Sequence, residues 1–280
     1  MASLVPFEQV EVFFDGIFTD PMLNHPEGLA FDKDGDLWCG GESGEIFRID
    51  KEGKRIELAA STGGFCLGMA FDRKGNLYVC DLKKKAVFKF HPSTGELTLF
   101  AGGTPDVPMT PNFPVVDHER NCLYVSNSVN DAPGIWRFDL DTGSGFMWYD
   151  RPLGFGNGMA LAPDGNSLYV AETFARRISR IPILADGRPG EKEVVAHVDA
   201  LPDGLAVDEH GRIYVSCYEP SQVLRINEDR TVVTVVRDEE AHTLCHPTNC
   251  AFSGDNLYTA NLGRWHITKI PVGVRGKSLL

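Results

Sequence analysis

The stretch HPEGLAFDKDGDLWCGG, residues 25–41, reads as a short apolar strand from Gly28 to Asp32, a turn from Lys33 to Asp36, and a second strand from Leu37 to Gly40. Asp34-Gly35 supplies the positive φ that a tight hairpin needs. Ahead of the first strand stand Pro26 and Glu27, where a plain turn takes glycine or asparagine. The phrase returns as CLGMAFDRKGNLYVCD (66–81), PNFPVVDHERNCLYVSN (111–127), GNGMALAPDGNSLYVAE (156–172), LPDGLAVDEHGRIYVSC (201–217) and HPTNCAFSGDNLYTAN (246–261).

Alignment of the six phrases places Glu27, Leu67, Asn112, Asn157, Asp203 and Thr248 in one equivalent position, at steps of 40, 45, 45, 46 and 45 residues. A period of that length with several short strands per unit is the signature of a β-propeller. In the first unit the third strand is Glu45 to Asp50 and the fourth Arg55 to Ala59, after the turn Lys51-Glu52-Gly53. Third strands recur at 86–91, 134–140, 177–183, 222–227 and 266–274, after which the sixth unit lacks a fourth strand. The strand-like FEQVEVFFD (7–15), which belongs to no other unit, fills that gap by pairing with His266 to Val274. The expected fold is therefore all-β: a six-bladed β-propeller, a single domain over residues 1–280, closed by the N-terminal strand pairing with the last blade.

Of the 280 residues, 42% are hydrophobic and 24% charged, the balance of a globular chain with a substantial core. The net charge of −12 argues against nucleic acid or an anionic membrane surface as partner. The basic run Lys83-Lys84-Lys85 falls at a hairpin tip and reads as a solvated turn. MASLVPFEQVEVFFDG lacks the pattern of a secretory signal, and no apolar run approaches a membrane span. Seven cysteines without CxxC spacing read as reduced, mostly buried thiols. Together these lead to the expectation of a cytoplasmic protein.

In a propeller the first strand of each blade lines the central channel, so residues just ahead of it gather at one mouth as a ring. Five of the six occupants bear oxygen: Glu27, Asn112, Asn157, Asp203 and Thr248, with Leu67 the exception. Carboxylates and carboxamides converging on one axis suit a hard divalent cation, Ca²⁺ or Mg²⁺, with room left for water or substrate. The lack of histidine or cysteine in the ring counts against zinc. Water plugging the channel, a purely structural calcium, or Pro-Asp/Asn-Gly turn chemistry would give a similar pattern, although turns alone do not explain Glu27. The loops above the ring carry Phe18, Met22, Phe65, Met109, Phe113, Phe155, Phe174 and Trp265, an apolar rim suited to a hydrophobic or aromatic ligand. His25 and His246 stand in matching His-Pro pairs two residues before ring positions, a placement more often structural than catalytic.

HPEGLAFD, GNGMALAPDGNSLYVAET and LPDGLAVDEHGRIYVSCY, in that order and spacing, resemble the senescence marker protein/gluconolactonase/luciferin-regenerating enzyme family of six-bladed propellers over nearly the whole chain, Glu11 to Gly276. That resemblance implies one divalent metal at the top of the channel, Ca²⁺ foremost with Mg²⁺, Mn²⁺ or Zn²⁺ as alternatives, and hydrolysis of a small-molecule lactone or related ester. Carried over by motif, the metal ligands fall on Glu27, Asn157 and Asp203, and a further ligand or substrate contact on Asn112. Thr248 stands where relatives carry serine. Sugar-lactone members have an arginine two residues before the equivalent of Asn112, whereas this chain reads Thr110-Pro111-Asn112-Phe113. Thr110, Asn112, Phe113, Thr248 and Leu67 are accordingly the candidate substrate contacts, and aliphatic or aromatic lactones are expected ahead of gluconolactone.

The metal would polarise the carbonyl while Asp203 activates the water, with Glu27 remaining a ligand. Two other classes stay open. NFPVVDHERNCLYVSNS also resembles the strictosidine-synthase-like propellers, which share the fold but not the chemistry. A non-catalytic binding propeller with a structural cation would need no catalytic carboxylate.

Overall fold

The computed structural model describes residues 3–104 and 109–277. Among the described residues, twenty-four strands form six four-stranded antiparallel sheets arranged as the blades of a propeller. The inner strands are Leu29–Phe31, Cys66–Phe71, Pro111–Asp117, Gly156–Leu161, Pro202–Val207 and Pro247–Ser253. Apolar residues from each pair of neighbouring blades merge into one cluster, giving six clusters around the ring among the described residues. All seven cysteines are free and buried in this packing. No helix among the described residues is long and apolar enough to cross a membrane.

An aspartate at the end of the inner strand builds the hairpin that follows. Asp72 accepts from the Lys74 and Asn76 backbone N–H groups, each at 2.9 Å, and from Asn76 Nδ2 at 2.8 Å and Tyr78 OH at 3.3 Å. Asp32 does the same for Asp34 and Asp36 N–H and adds Trp38 Nε1 at 2.9 Å, while Asp208 caps its turn and pairs with Arg212. The carboxylate thus satisfies turn N–H groups that have no ladder partner. Gly35, at φ +89°, supplies the left-handed step of the first hairpin.

The last blade holds Pro247–Ser253, Asn256–Asn261 and His266–Ile270, and Glu11–Asp15 is its fourth strand. The register runs from Glu11 opposite Lys269 to Asp15 opposite His266, with Phe14 buried between the last and first blades. The closing segment is shorter than the sequence suggests: Phe7–Gln9 is a turn of 3-10 helix, and the partner strand ends at Ile270 rather than Val274. Upstream of that turn the chain leaves blade 6 for blade 5, where Leu4 and Val5 donate to Thr234 O and Val235 O at 3.0 and 2.8 Å.

Candidate active site

The six aligned positions form a ring in space. Where the residue after a ring position is glycine, it packs against the carbonyl of the next ring position: a Cβ on Gly28 would strike Leu67 O, one on Gly68 would lie 2.8 Å from Asn112 O, one on Gly158 would strike Asp203 O, and one on Gly204 would lie 2.7 Å from Thr248 O. The circuit closes where Asn249 N–H donates to Glu27 O at 3.3 Å. Backbones this close leave no room for a side chain, which is why four of the six following residues are glycine. In five inner strands the register slips across the ring position, between Cys66 and Met69, Pro111 and Pro114, Gly156 and Met159, Pro202 and Leu205, and Pro247 and Cys250. Such irregularities re-aim side chains away from strict alternation and recur beside functional sites.

Glu27, Asn112, Asn157, Asp203 and Thr248 are all buried, none more than 7% exposed. Glu27 is held by the sixth blade: Asn249 Nδ2 donates to its carboxylate Oε2 and to its carbonyl, both at 3.0 Å, and Thr248 Oγ1 donates to the same carbonyl at 2.7 Å. Asn157 Nδ2 donates to Thr173 Oγ1 at 3.2 Å, which in turn donates to Pro202 O at 2.7 Å. With its amide nitrogen so committed, Asn157 keeps its carbonyl oxygen for something else. Asn112 Oδ1, Asn157 Oδ1, Asp203 Oδ1 and Asn249 Oδ1 are all buried with no hydrogen-bond partner among the described residues. An unsatisfied buried acceptor costs about 1–3 kcal/mol, so four in one layer require an explanation.

The carboxyl groups show the same shortage of positive charge. Burial, followed by the charge of Asp203, pushes the Glu27 carboxyl well above its usual range, and the Asn249 hydrogen bond only partly offsets this. Burial raises Asp203 to about 7, against a smaller lowering by the Asn157 amide. The four orphaned oxygens are acceptors, one of them on the Asp203 carboxylate, and with the Glu27 carboxylate beside them they suit a divalent cation, whose charge would relieve the repulsion between Glu27 and Asp203. Among the described residues no group of three or more His, Cys, Asp or Glu is placed to hold a metal ion. The donor set here is two carboxylates with carboxamides, the oxygen chemistry of Ca²⁺ and Mg²⁺ rather than of zinc.

The remaining sequence candidates lie close by in different settings. The Thr248 hydroxyl is spent on Glu27 O, and Leu67 and Phe113 pack in inter-blade clusters. Half-buried Thr110 has its N–H held by Asn127 Oδ1 at 2.7 Å. Of the expected apolar rim, Met109 and Phe113 are buried, whereas Phe18, Met22 and Phe174 are exposed. Phe174 packs on Phe155 at 4.6 Å between ring centroids, His25 on Trp265 at 5.0 Å and His246 on Tyr218 at 4.6 Å. His25, Phe155 and His246, each two residues before a ring position, all take positive φ (42°, 63° and 50°), an uncommon conformation for bulky residues. His25 Nδ1 lies 2.9 Å from Leu262 O and His246 Nδ1 3.1 Å from Tyr218 O. A carbonyl only accepts, so Nδ1 is the donor in each of these contacts.

Sequence reasoning missed Asn249. Its signal was the departure from glycine immediately after a ring position, in the one blade where an amide both reaches Glu27 and offers an orphaned oxygen.

The profile of the SMP-30/Gluconolactonase/LRE-like region matches residues 135–262, and that of the strictosidine synthase-like N-terminal region matches 19–49. The chain is 27% identical over 220 residues to lactonase drp35 of Staphylococcus saprophyticus, covering 72% of this chain and 66% of that protein. It thus spans just under two thirds of the length of that lactonase and of the one from Staphylococcus haemolyticus. Among solved structures, a calcium-binding regucalcin from Agrobacterium tumefaciens superposes with a TM-score of 0.77 at 21% identity, over 99% of this chain and 97% of the other. A gluconolactonase from Xanthomonas campestris gives a TM-score of 0.77 at 20% identity, over 94% and 89%.

Proposed function

We propose that this six-bladed β-propeller, whose residues 135–262 match the SMP-30/Gluconolactonase/LRE-like region, is a divalent-cation-dependent hydrolase that opens a lactone or related carboxylic ester. Hydrolase-type chemistry at the family level is supported by its lactonase relatives. The observation that carries the fuller reading is the layer of four orphaned oxygens beside two mutually repelling carboxyl groups.

Glu27, Asn157 and Asp203 would hold the ion, with Asn112 as a further ligand or substrate contact and Asn249 fixing the Glu27 carboxylate. When bound, the cation supplies Lewis-acid polarisation of the ester carbonyl and charge for the developing oxyanion. Asp203 is the residue to orient the attacking water and take its proton as the new C–O bond forms. That proton passes to the ring oxygen as the acyl C–O bond breaks, so one lactone and one water give one hydroxy acid. The glycine-tight ring keeps Asp203 from moving away from the axis. Thr110 in place of the arginine of sugar lactonases, with exposed Phe18, Met22 and Phe174 nearby in the loops, favours aliphatic or aromatic lactones over gluconolactone.

The test is metal analysis together with a lactone panel at saturating Ca²⁺, Mg²⁺, Mn²⁺ or Zn²⁺, followed by proton release. Expected are one bound cation per chain, turnover abolished by chelation, and apolar lactones ahead of gluconolactone. Background rates on every lactone and ester with metal bound would sink the hydrolase reading. The match at residues 19–49 supports the strictosidine-synthase-like alternative, which predicts activity that survives a chelator.

A further inference from the structure

Immediately beyond the ring, on the side away from the mouth, the channel opens into a second chamber. The glycines that follow the ring positions bring neighbouring backbones into contact and form a waist. Below it lies a cavity of about 540 Å³ lined by the inner strands of all six blades. Three residues past each ring position stand Ala30, Ala70, Val115, Ala160, Ala206 and Ala251, five alanines and one valine, and all six line this cavity. Short side chains at that level leave the lumen empty instead of plugging it. An apolar void of this kind is poorly hydrated and favours an apolar guest, and its volume lies within the roughly 300–1,000 Å³ of small-molecule sites.

The charges at the far end of the chamber have the opposite sign to the protein as a whole. On a chain of net charge −12, the charged residues lining the cavity are Lys33, Arg275 and Lys277 against Asp32. Both Asp32 carboxylate oxygens are already used by Asp34 N–H, Asp36 N–H and Trp38 Nε1. Two of the three cations are delivered by a strap: after the last blade the chain crosses to blade 5, where Glu209 N–H donates to Arg275 O at 2.9 Å and Lys277 N–H to Val207 O at 2.8 Å. Gly276 lies against Phe252 with no room for a Cβ, which seats the strap on the inner strand of blade 6. Lys277 Nζ donates to Ala162 O at 2.6 Å, one of the three N–H donors that an ammonium carries. Burial pushes Lys277 below the usual amine range, against smaller raising by the charges of Asp164 and Asp117.

We propose that this lower chamber binds a medium-chain aliphatic carboxylate, its chain in the alanine-lined lumen and its carboxylate between Lys33, Arg275 and Lys277. Chain and head group are recognised by different parts of the site, the lumen by burial of apolar surface and the mouth by charge-assisted hydrogen bonds. The site is separate from the oxygen ring and does not depend on any activity there.

Sodium decanoate titrated calorimetrically into the full chain tests this. Saturable one-to-one binding is expected, at least tenfold weaker in the Arg275→Glu, Lys277→Glu double variant and abolished by Ala206→Phe, which fills the lumen. Decanol is expected to bind at least tenfold more weakly than decanoate, and Glu27→Gln to bind decanoate like the wild type. Because Ala206→Phe could fail to fold, the double variant, which alters only the strap, carries the test independently. Absence of saturable heat up to about 1 mM decanoate overturns the proposal. So does equal affinity for decanol, retention of full affinity in the Arg275→Glu, Lys277→Glu double variant, or loss of decanoate binding in Glu27→Gln, which would assign the ligand to the upper ring.

Discussion

Glu27 and Asp203 come from blades 1 and 5 and hold equivalent ring positions, and the charge of Asp203 raises the Glu27 carboxyl. A cation held between them should lose much of its affinity when either charge is removed. Glu27→Gln is expected to weaken Ca²⁺ binding at least tenfold by calorimetry; unchanged occupancy at micromolar free metal would reject the ligand assignment. Asp203→Asn can still coordinate but cannot accept a proton, so turnover at saturating metal should fall about 10²–10⁴-fold, beyond what metal loss explains. The oxygen-bearing ring positions were legible in the sequence because the 45-residue repeat aligns them. Asn249 was not, because its partner Glu27 lies 222 residues away and only closure of the ring brings them together. A different residue governs acid stability. Fully buried Glu172 accepts from Arg177 Nε and Nη2 at 2.9 and 2.8 Å, Gly154 N–H at 2.9 Å, Ser179 Oγ at 2.5 Å and Lys192 Nζ at 3.1 Å. Burial alone would raise its pKa, but these donors overcome it and hold the carboxyl at about 2 instead of 4.5. A folded pKa below the unfolded one gives stability that is present above about pH 4.5 and lost as the pH falls toward 2. At neutral pH it is on the order of 3 kcal/mol. Glu172→Gln should therefore lower the urea midpoint at pH 7 and flatten its acid limb; an unchanged pH profile would contradict this.

At the scale of single strands, two local devices set the geometry, and they differ in how visible they are. Hairpins were legible because Asp-Gly and alternation are short-range signals, and the third strands fall near the expected positions, as at Ala86–His91 and Gln222–Ile226. The close passage of one inner strand past the next was not, since it depends on backbone pairs from separate blades. A Cβ at position 204 would lie 2.7 Å from both Asn249 Cα and Thr248 O and 2.8 Å from Ser216 Oγ. Gly204→Ala should thus cost about 1–3 kcal/mol through displaced backbone and also weaken cation binding, because Asn249 moves with it. Gly165→Ala is the matched control: its φ is +70° with nothing within 4 Å of the added carbon, so only the conformational penalty of about 1–2 kcal/mol applies and the site is untouched. Equal effects of the two on metal affinity would refute the waist as a positioning element. The segment Phe7–Gln9 was expected to be strand and is helical because its neighbour ends at Ile270, leaving those residues no ladder to join.

Over the whole molecule, six sheets of the same design become one object only when the chain ends are tied. Each blade interface is a separate apolar cluster, and the one between the last and first blades includes Phe14 from the closing strand. The six-fold architecture was readable from the period alone, and the closing strand from the missing last strand. The lower chamber was not readable, since a row of alanines spaced a blade apart is unremarkable until the ring brings it around one axis. Closure also fixes the circuit of ring contacts, because Asn249 and Thr248 of the last blade hold Glu27 of the first. Weakening the closing strand should therefore act on the site at a distance. Phe14→Ala opens a cavity at that one interface and should cost about 3–5 kcal/mol of stability by denaturant unfolding. If the blades form one cooperative ring, the loss appears as a shift of a single transition, and cation affinity falls with it as Glu27 loses its anchor. A comparable truncation at the interface of blades 3 and 4, Leu153→Ala, should destabilise to a similar degree while leaving cation affinity nearly unchanged, since that cluster contains neither Glu27 nor its anchors. Equal loss of cation affinity in both variants would show that the site responds to general stability, and the last-to-first blade junction would then have no special role in holding Glu27.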